Sequence, residues 1–552
     1  MKDRPGWAHP LPFLTLIAML GPVAFGLWGT LRPAMTPGAI PEAFAAPGFW
    51  KGTWLSLSTG ALSTLGALVI TTLILAGWSG TRAMAAMTRA LSPLLALPHA
   101  AAAFGIAFLI TPSGWIARAI APLVGWDRPP DALIVGDPWG LSLTLGLIAK
   151  EVPFLLLMSL AALPQTEAPE SRRVAAALGY GRVNGFLKTV FPRLYAQIRL
   201  PVYVTLAYAM SVVDMAMILG PTTPPTLSVQ ILGWITDPDF ALHSRAAVAA
   251  LWQLGLVIGT IALWRGGEVI VARMGRRWIF GGERGAADGV LRAAALGLAV
   301  LTALSVAAGI ASLAVWSFAG RWSFPEPLPD ALTPRSWMRH GPGALDAAAT
   351  TALIAGTATI AALILTLGSL QAEFRHGLRP SRAASLLFLP LLVPQTAFLP
   401  GVQILWLNLG LQAGLVPVIA VHLVFVLPYV FLSLAGPWRA WDTRYATVAA
   451  ALGETPANVF WRVRLPMLLR PVLTAAAVGL AVSVGQYLPT LLAGGGRVAT
   501  LTTEALALTS GGDRRAIGVW GLSQTLAAFL PFALALAVPA LVFRHRRGLA
   551  HG

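Results

Sequence analysis

Apolar runs of about 20 residues recur from one end of this chain to the other, and they leave it few possible folds. Each run is long enough to cross the roughly 30 Å hydrocarbon layer of a bilayer as a helix. The runs are continuous rather than alternating, which excludes the strands of a membrane barrel. With no water in the bilayer to bind spare backbone groups, helices remain. Composition agrees, since 56% of the residues are hydrophobic and 11% are charged, where a soluble chain carries about a quarter charged residues. The reading is an all-α polytopic membrane protein.

The runs predict about twelve spans, near 11–30, 53–78, 91–111, 139–162, 200–220 and 246–264, then 292–318, 347–370, 383–407, 414–436, 471–492 and 516–543. The first run follows Lys2 and Arg4 and is longer than a signal core, so it reads as an uncleaved span. With the N-terminus inside, most of the 39 Lys and Arg fall on inside segments. That places both termini in the cytoplasm and makes the +17 charge an orientation signal rather than a nucleic-acid surface. Six spans per half bring both halves in from the same side, as a parallel repeat. The halves are 1–283 and 284–552, joined by the basic loop around Arg265 to Arg292.

A repeat supports this division. Val-Ala-Ala-Ala-Leu-Gly stands at 174–179 and again at 448–453. A proline follows each glycine at the same distance, Gly179 to Pro192 and Gly453 to Pro466. Between them the copies share Asn184/Asn458, Phe186/Phe460 and the basic pair Lys188/Arg462. Both lie in inside loops, 163–200 and 437–470. Ala446 to Leu452 predicts a helix ended by Gly453, and Thr455-Pro456 predicts an N-cap followed by proline at the first helical position. A short helix then runs to Leu465, and Pro466 opens the next element. The first loop has the same layout. Each loop is thus two short helices joined by a glycine turn, where glycine tolerates positive φ.

At these residues the chain resembles the inner-membrane permeases of binding-protein-dependent ABC importers. Their inside loop carries Glu-Ala-Ala, three residues, Gly, nine residues, Ile-x-Leu-Pro. Gly179 and Pro192, and Gly453 and Pro466, fit that spacing, and Leu465-Pro466 reproduces its end. The glutamate position holds Arg173 in one copy and Thr447 in the other, and Val174 or Val448 follows it. An ion pair made by that glutamate is therefore missing. The resemblance implies a type I ABC importer permease fold built from two tandem six-helix halves. It implies that Ala175, Ala176, Gly179 and Pro192, with Ala449, Ala450, Gly453 and Pro466, dock ATP-binding cassette ATPase subunits, two copies in all. An extracytoplasmic substrate-binding protein, the bilayer and a bacterial inner-membrane location complete the setting. Fused permeases of this kind are similar to those of thiamine and ferric-iron uptake. Ser483 to Thr490, followed by Thr500 to Ala505, looks closest to a bacterial permease family linked to thiamine.

Nothing in the chain supplies an engine or a catalytic centre. A phosphate-binding loop needs glycine directly before lysine, and Lys2, Lys51, Lys150 and Lys188 follow Met1, Trp50, Ala149 and Leu187. ATP hydrolysis is expected in a separate subunit, so the chain itself is not an enzyme. There is no cysteine, and His99 and His422 stand alone in separate spans as packed or hydrogen-bonded core residues. Neither a metal site nor a cofactor is expected. Three charges do fall inside spans: Lys150, Glu151 and Asp214. Each costs roughly 2.5–3.5 kcal/mol to insert and marks a candidate pathway. Lys150 and Glu151 point about 100° apart on a helix, so they do not simply pair. Aligning Ala209-Met210-Ser211 with Ala481-Val482-Ser483 sets Gln486 opposite Asp214, which makes these two the leading pathway residues. A Lys150–Asp214 network that only holds spans together is the competing reading. The function expected is a permease subunit that passes a small solute, thiamine among the candidates, from a binding protein through an ATP-driven system. An ion-gradient-driven twelve-helix secondary transporter is the alternative. It accounts for the topology and the charges but not for the matched glycine loops.

Overall fold

The computed structural model describes residues 10–91, 94, 96–285, 287–376 and 386–542. Among them the structure is helical, and the one β pairing is an isolated bridge between Ala319 and Leu332. A first series runs α1 (Leu11–Ala34), α2 (Phe49–Trp78), α3 (His99–Ile110), α4 (Leu141–Ala162), α5 (Ala168–Ala177), α6 (Arg182–Thr189), α7 (Phe191–Ser211), α8 (Asp214–Leu219), α9 (Leu227–Thr236) and α10 (Phe240–Phe280). A second series follows the same order. It runs α11 (Asp288–Phe318), α12 (Arg335–Arg375), α13 (Gln395–Asn408), α14 (Leu415–Arg439), α15 (Arg444–Ala451), α16 (Pro456–Met467), α17 (Leu469–Val484), α18 (Leu488–Gly494), α19 (Leu501–Ala507) and α20 (Arg514–Val542). Shorter helical pieces lie between some of these. Among the described residues nine helices are long and apolar enough to cross a membrane, or eleven if two bent pairs each count as one span. α7, which carries Arg193 and Arg199 near its start, stands at the remaining predicted place.

Two predicted spans, 200–220 and 471–492, are not single helices. α7 stops at Ser211 and α8 restarts at Asp214, while α17 stops at Val484 and α18 restarts at Leu488. A break within a bilayer frees backbone groups that must find partners in the protein. The next helix supplies them in both series. Ser228 Oγ donates to the Val212 carbonyl at 2.7 Å, and Thr502 Oγ1 donates to the Val484 carbonyl. The amides that open those helices are held as well, Leu227 N donating to Ser56 Oγ and Leu501 N to Thr351 Oγ1, each at 3.0 Å. The span predicted over 383–407 begins outside the described residues. Its described part bends by 95° between Leu392 and Gln395.

The first helix of each series packs away from its own neighbours. α1 lies along α13, and α11 lies along α3. Glycines permit the approach: a Cβ on Gly105 would sit 2.7 Å from the Gly309 backbone, and one on Gly29 would sit 2.7 Å from Gly401 Cα. Small residues let helices in lipid gain contact area where no hydrophobic drive favours association. Along α1, Met19 and Val23 are buried, while Phe13, Phe25 and Trp28 remain exposed, as suits an outer face in lipid.

Candidate functional site

Both glycine turns close in the same way. At the end of α5, Gly179 N–H donates to the Ala176 carbonyl and Tyr180 N–H to the Ala175 carbonyl, each at 3.0 Å. At the end of α15, Gly453 N–H donates to the Ala450 carbonyl and Glu454 N–H to the Ala449 carbonyl, again at 3.0 Å. This bond pair is a Schellman motif, which needs a left-handed residue just past the helix. Gly179 and Gly453 provide it at φ +80° and +85°. Ala175 and Ala449 are buried beneath the turn, whereas Ala176 and Ala450 are exposed. Arg173 and Thr447 are exposed too, so the site of the absent glutamate faces outward in both loops. Val174 with Leu178, and Val448 with Leu452, form an apolar pair on each loop that is between 58% and 79% exposed.

Beyond the turn the loops part. In the first, α6 ends at Thr189 and Pro192 lies in the opening turn of α7, as the sequence predicts. In the second, Thr455 caps as predicted, its side chain accepting from Asn458 N–H at 3.3 Å, with Pro456 in the first turn. The helix does not stop at Leu465, however. It passes through a π turn over Val459–Arg464 and takes in Pro466, so the chain restarts at Leu469 after a 74° bend. The π turn coincides with the burial of Arg464, which is 3% exposed. Its guanidinium donates to the Trp438 carbonyl at 2.8 Å and to Gln371 Oε1 at 3.3 Å. It also lies over Phe374, Trp438 and Trp441, 4.2, 4.2 and 4.8 Å from the ring centroids. Val190 fills the matching position in the first loop.

The first loop is anchored through Lys188 instead, which is 6% exposed. Lys188 Nζ donates to the Trp278 carbonyl at 3.0 Å and the Glu283 carbonyl at 2.7 Å, at the far end of α10 and just past it. It sits 4.4 Å from the Trp278 ring centroid and 5.2 Å from that of Tyr180. Its counterpart Arg462 is 73% exposed and reaches only to 4.0 Å from Glu454.

The charges within the spans occupy different surroundings. Lys150 Nζ, on α4, donates to the Leu94 carbonyl at 3.0 Å and the Leu97 carbonyl at 2.6 Å, and makes no direct ion pair with Asp214. Glu151 Oε1 accepts from Ser63 Oγ at 3.3 Å, and its other oxygen has no protein partner. The two neighbours therefore face different helices, as the 100° helical step requires. Asp214 is not inside a helix as the sequence reading has it: it opens α8 directly after the break, and Gln486 falls within the corresponding break after α17. Both are thus at the break, and neither hydrogen-bonds the other. Sequence reasoning names His99 and His422 as core residues but not their partners. The His99 ring lies against Tyr208, centroids 4.7 Å apart, and His99 Nδ1 and Tyr208 Oη are buried without a protein partner. In the second series the buried imidazole is satisfied: His422 has both ring nitrogens engaged, with Ser483 Oγ at 2.7 Å and Thr490 Oγ1 at 2.9 Å. Spacing alone carried no signal for this difference.

Comparison with known proteins bears on the whole chain. Residues 364–545 match the family described as binding-protein-dependent transport system inner membrane component. Over 539 residues the chain is 32% identical to the inner membrane ABC transporter permease protein YnjC of Escherichia coli K12, covering 97% of this chain and 96% of that one. A stretch of 80 residues is 40% identical to the molybdenum transport system permease protein ModB of Mycobacterium tuberculosis, covering 14% of this chain and 30% of the relative. Another of 144 residues is 28% identical to a spermidine/putrescine transport system permease protein PotC homolog of Mycoplasma pneumoniae, covering 26% and 50%. No solved structure matches. The near-complete match extends the assignment to the first series, beyond residues 364–545. With its apolar helices and paired glycine loops, the chain belongs to the multi-pass inner-membrane permeases of binding-protein-dependent ABC transport systems.

Proposed function

We propose that this permease carries both halves of a translocation pathway, residues 1–283 and 284–552, and that its two glycine-turn loops each receive one ATPase subunit. One observation carries the docking reading: the same Schellman turn presents the same exposed apolar pair twice, Val174 with Leu178 and Val448 with Leu452. Contiguous apolar surface outside lipid marks an interaction site, and a pattern made twice suits a partner bound twice. In this reading both loops and both termini are cytoplasmic. ATPase closure draws the loops together and opens the pathway outward, and hydrolysis returns it inward. Asp214 and Gln486 line the pathway at the two breaks, with Lys150 and Glu151 behind them. The partnerless oxygen of Glu151 supports a polar passage on the side of the first series.

The cargo is a small solute handed over by a binding protein, whose own site sets the choice. Thiamine rests on the family resemblance alone. The relatives' names speak instead of molybdenum and of spermidine and putrescine, so they do not favour it. A gradient-driven carrier has no use for paired ATPase loops, and family membership speaks against it.

The test replaces Gly179 and Gly453 together with valine. A side chain at positive φ costs about 1–2 kcal/mol per position, enough to recast both turns without unfolding the spans. ATP-driven uptake into vesicles and ATPase activity of the assembled complex should both collapse, while the permease still inserts. Uptake that survives the double substitution overturns the docking reading.

A further inference from the structure

The segment joining the two series does more than connect them. It lies on the first glycine loop, and among the described residues nothing corresponding lies on the second. α6 begins at Gly181 without a side-chain cap of its own. Asp288, the first residue of α11, supplies one: its Oδ1 accepts from Val183 N–H at 2.7 Å. A Cβ on Gly181 would sit 2.6 Å from that oxygen, so glycine there makes room for the contact. Lys188 ties the same loop to the Trp278 and Glu283 carbonyls. Arg284 reaches the turn itself, its Nε only 3.4 Å from where a Cβ on Gly179 would lie. Ile279, from the end of α10, forms one wall of an open cleft of about 570 Å³ whose other walls include Val174, Lys188 and Pro192. Gly453 in the second loop has nothing within 4 Å of the same point.

We infer that the connecting segment, through Trp278 to Arg284 and Asp288, is part of the first docking surface, so that the ATPase copy seated there touches Arg284 as well as the loop. The inference rests on the docking reading above. Its occupant is the same ATPase subunit, because Val174 belongs both to the exposed Val174–Leu178 pair and to the cleft whose opposite wall is Ile279. A partner that covers Leu178 and Gly179 must also meet the Arg284 side chain standing against that glycine. The two ATPase copies then bind unlike sockets: one ringed by the connecting segment and one, among the described residues, without such a flank.

The chain has no cysteine, so single-cysteine variants carry one reactive thiol each. Arg284→Cys, Leu178→Cys and Leu452→Cys, all at exposed positions, are labelled with a maleimide photocrosslinker in the full chain. Each is assembled in vesicles with the ATP-binding subunit that copurifies with it, identified by its phosphate-binding loop. All three should yield a permease–ATPase adduct on illumination, with the Arg284→Cys yield comparable to that of Leu178→Cys. Adducts from Leu178→Cys and Leu452→Cys without one from Arg284→Cys overturn the inference and leave the docking reading standing. No adduct from any of the three overturns both.

Discussion

The two glycine loops agree on their outer surface and disagree beneath it. From Arg173 to Gly179 and from Thr447 to Gly453 the order of buried and exposed residues is the same, and the turns share bonds and dihedral angles. Under the turns, the second loop is pinned by Arg464 in a cage of Phe374, Trp438 and Trp441, while the first is latched by Lys188 to carbonyls of a distant segment. Both anchors use one physical device, a cation that donates to carbonyls while resting on tryptophan. They place it two positions apart in the repeat and aim it at different partners. The outward shape is the same in both loops, and the means of holding it differs.

Removing the anchors measures that difference. Arg464→Ala should have the largest effect, about 3 kcal/mol, because it takes away desolvated cation–π contacts and leaves the Trp438 carbonyl unpaired. Denaturant titration of the purified permease reads this loss, and a change near zero would make the cage ornamental. Lys188→Ala should cost about 2 kcal/mol by the same reasoning, with fewer rings engaged. The matched change Arg462→Ala, at an exposed position with a 4.0 Å contact, should cost no more than about 0.5 kcal/mol. Equal losses at Lys188 and Arg462 would erase the distinction between the loops. The smallest effect concerns acid. Hydrogen bonds from the Arg444 side chain and backbone N–H hold the Asp442 carboxyl below the usual carboxylate range. A lowered folded value means its contribution is present above that range and fades as pH falls through the lowered value. Amide protection factors in α15 should therefore fall in acid more than those in α5, where Ala168 fills the place of Asp442.

Much of this was legible in the sequence, for reasons that differ by residue. The spans follow from apolar run length, and the turns from Gly179 and Gly453 at matched distances from proline. The Thr455 cap and Pro456 helix start were equally readable, because capping is decided by neighbours in the chain. The breaks after Ser211 and Val484 were not. Hydropathy reports which segments lipid accepts, and a break whose carbonyls are answered by Ser228 and Thr502 remains acceptable to lipid. Thr500 to Ala505 drew notice through family resemblance, yet its structural part, closing the break above it, depends on a partner many residues away. Lys188 was visible as half of a basic pair. Its divergence from Arg462 could not be seen, since the Trp278 and Glu283 carbonyls belong to no pattern.

The exchange of α1 and α11 sets a timetable for how the molecule is made. α1 leaves the ribosome well before its seat on α13, with α2 to α12 made in between. α11 finds one seat, α3, already in place when it emerges, and waits for the other, α20. Between its insertion and its docking α1 must wait in lipid with Gly26 and Gly29 uncovered, which an apolar helix can do without exposing spare backbone groups. The glycine seam that joins α1 to α13 therefore cannot close until the second series is well under way.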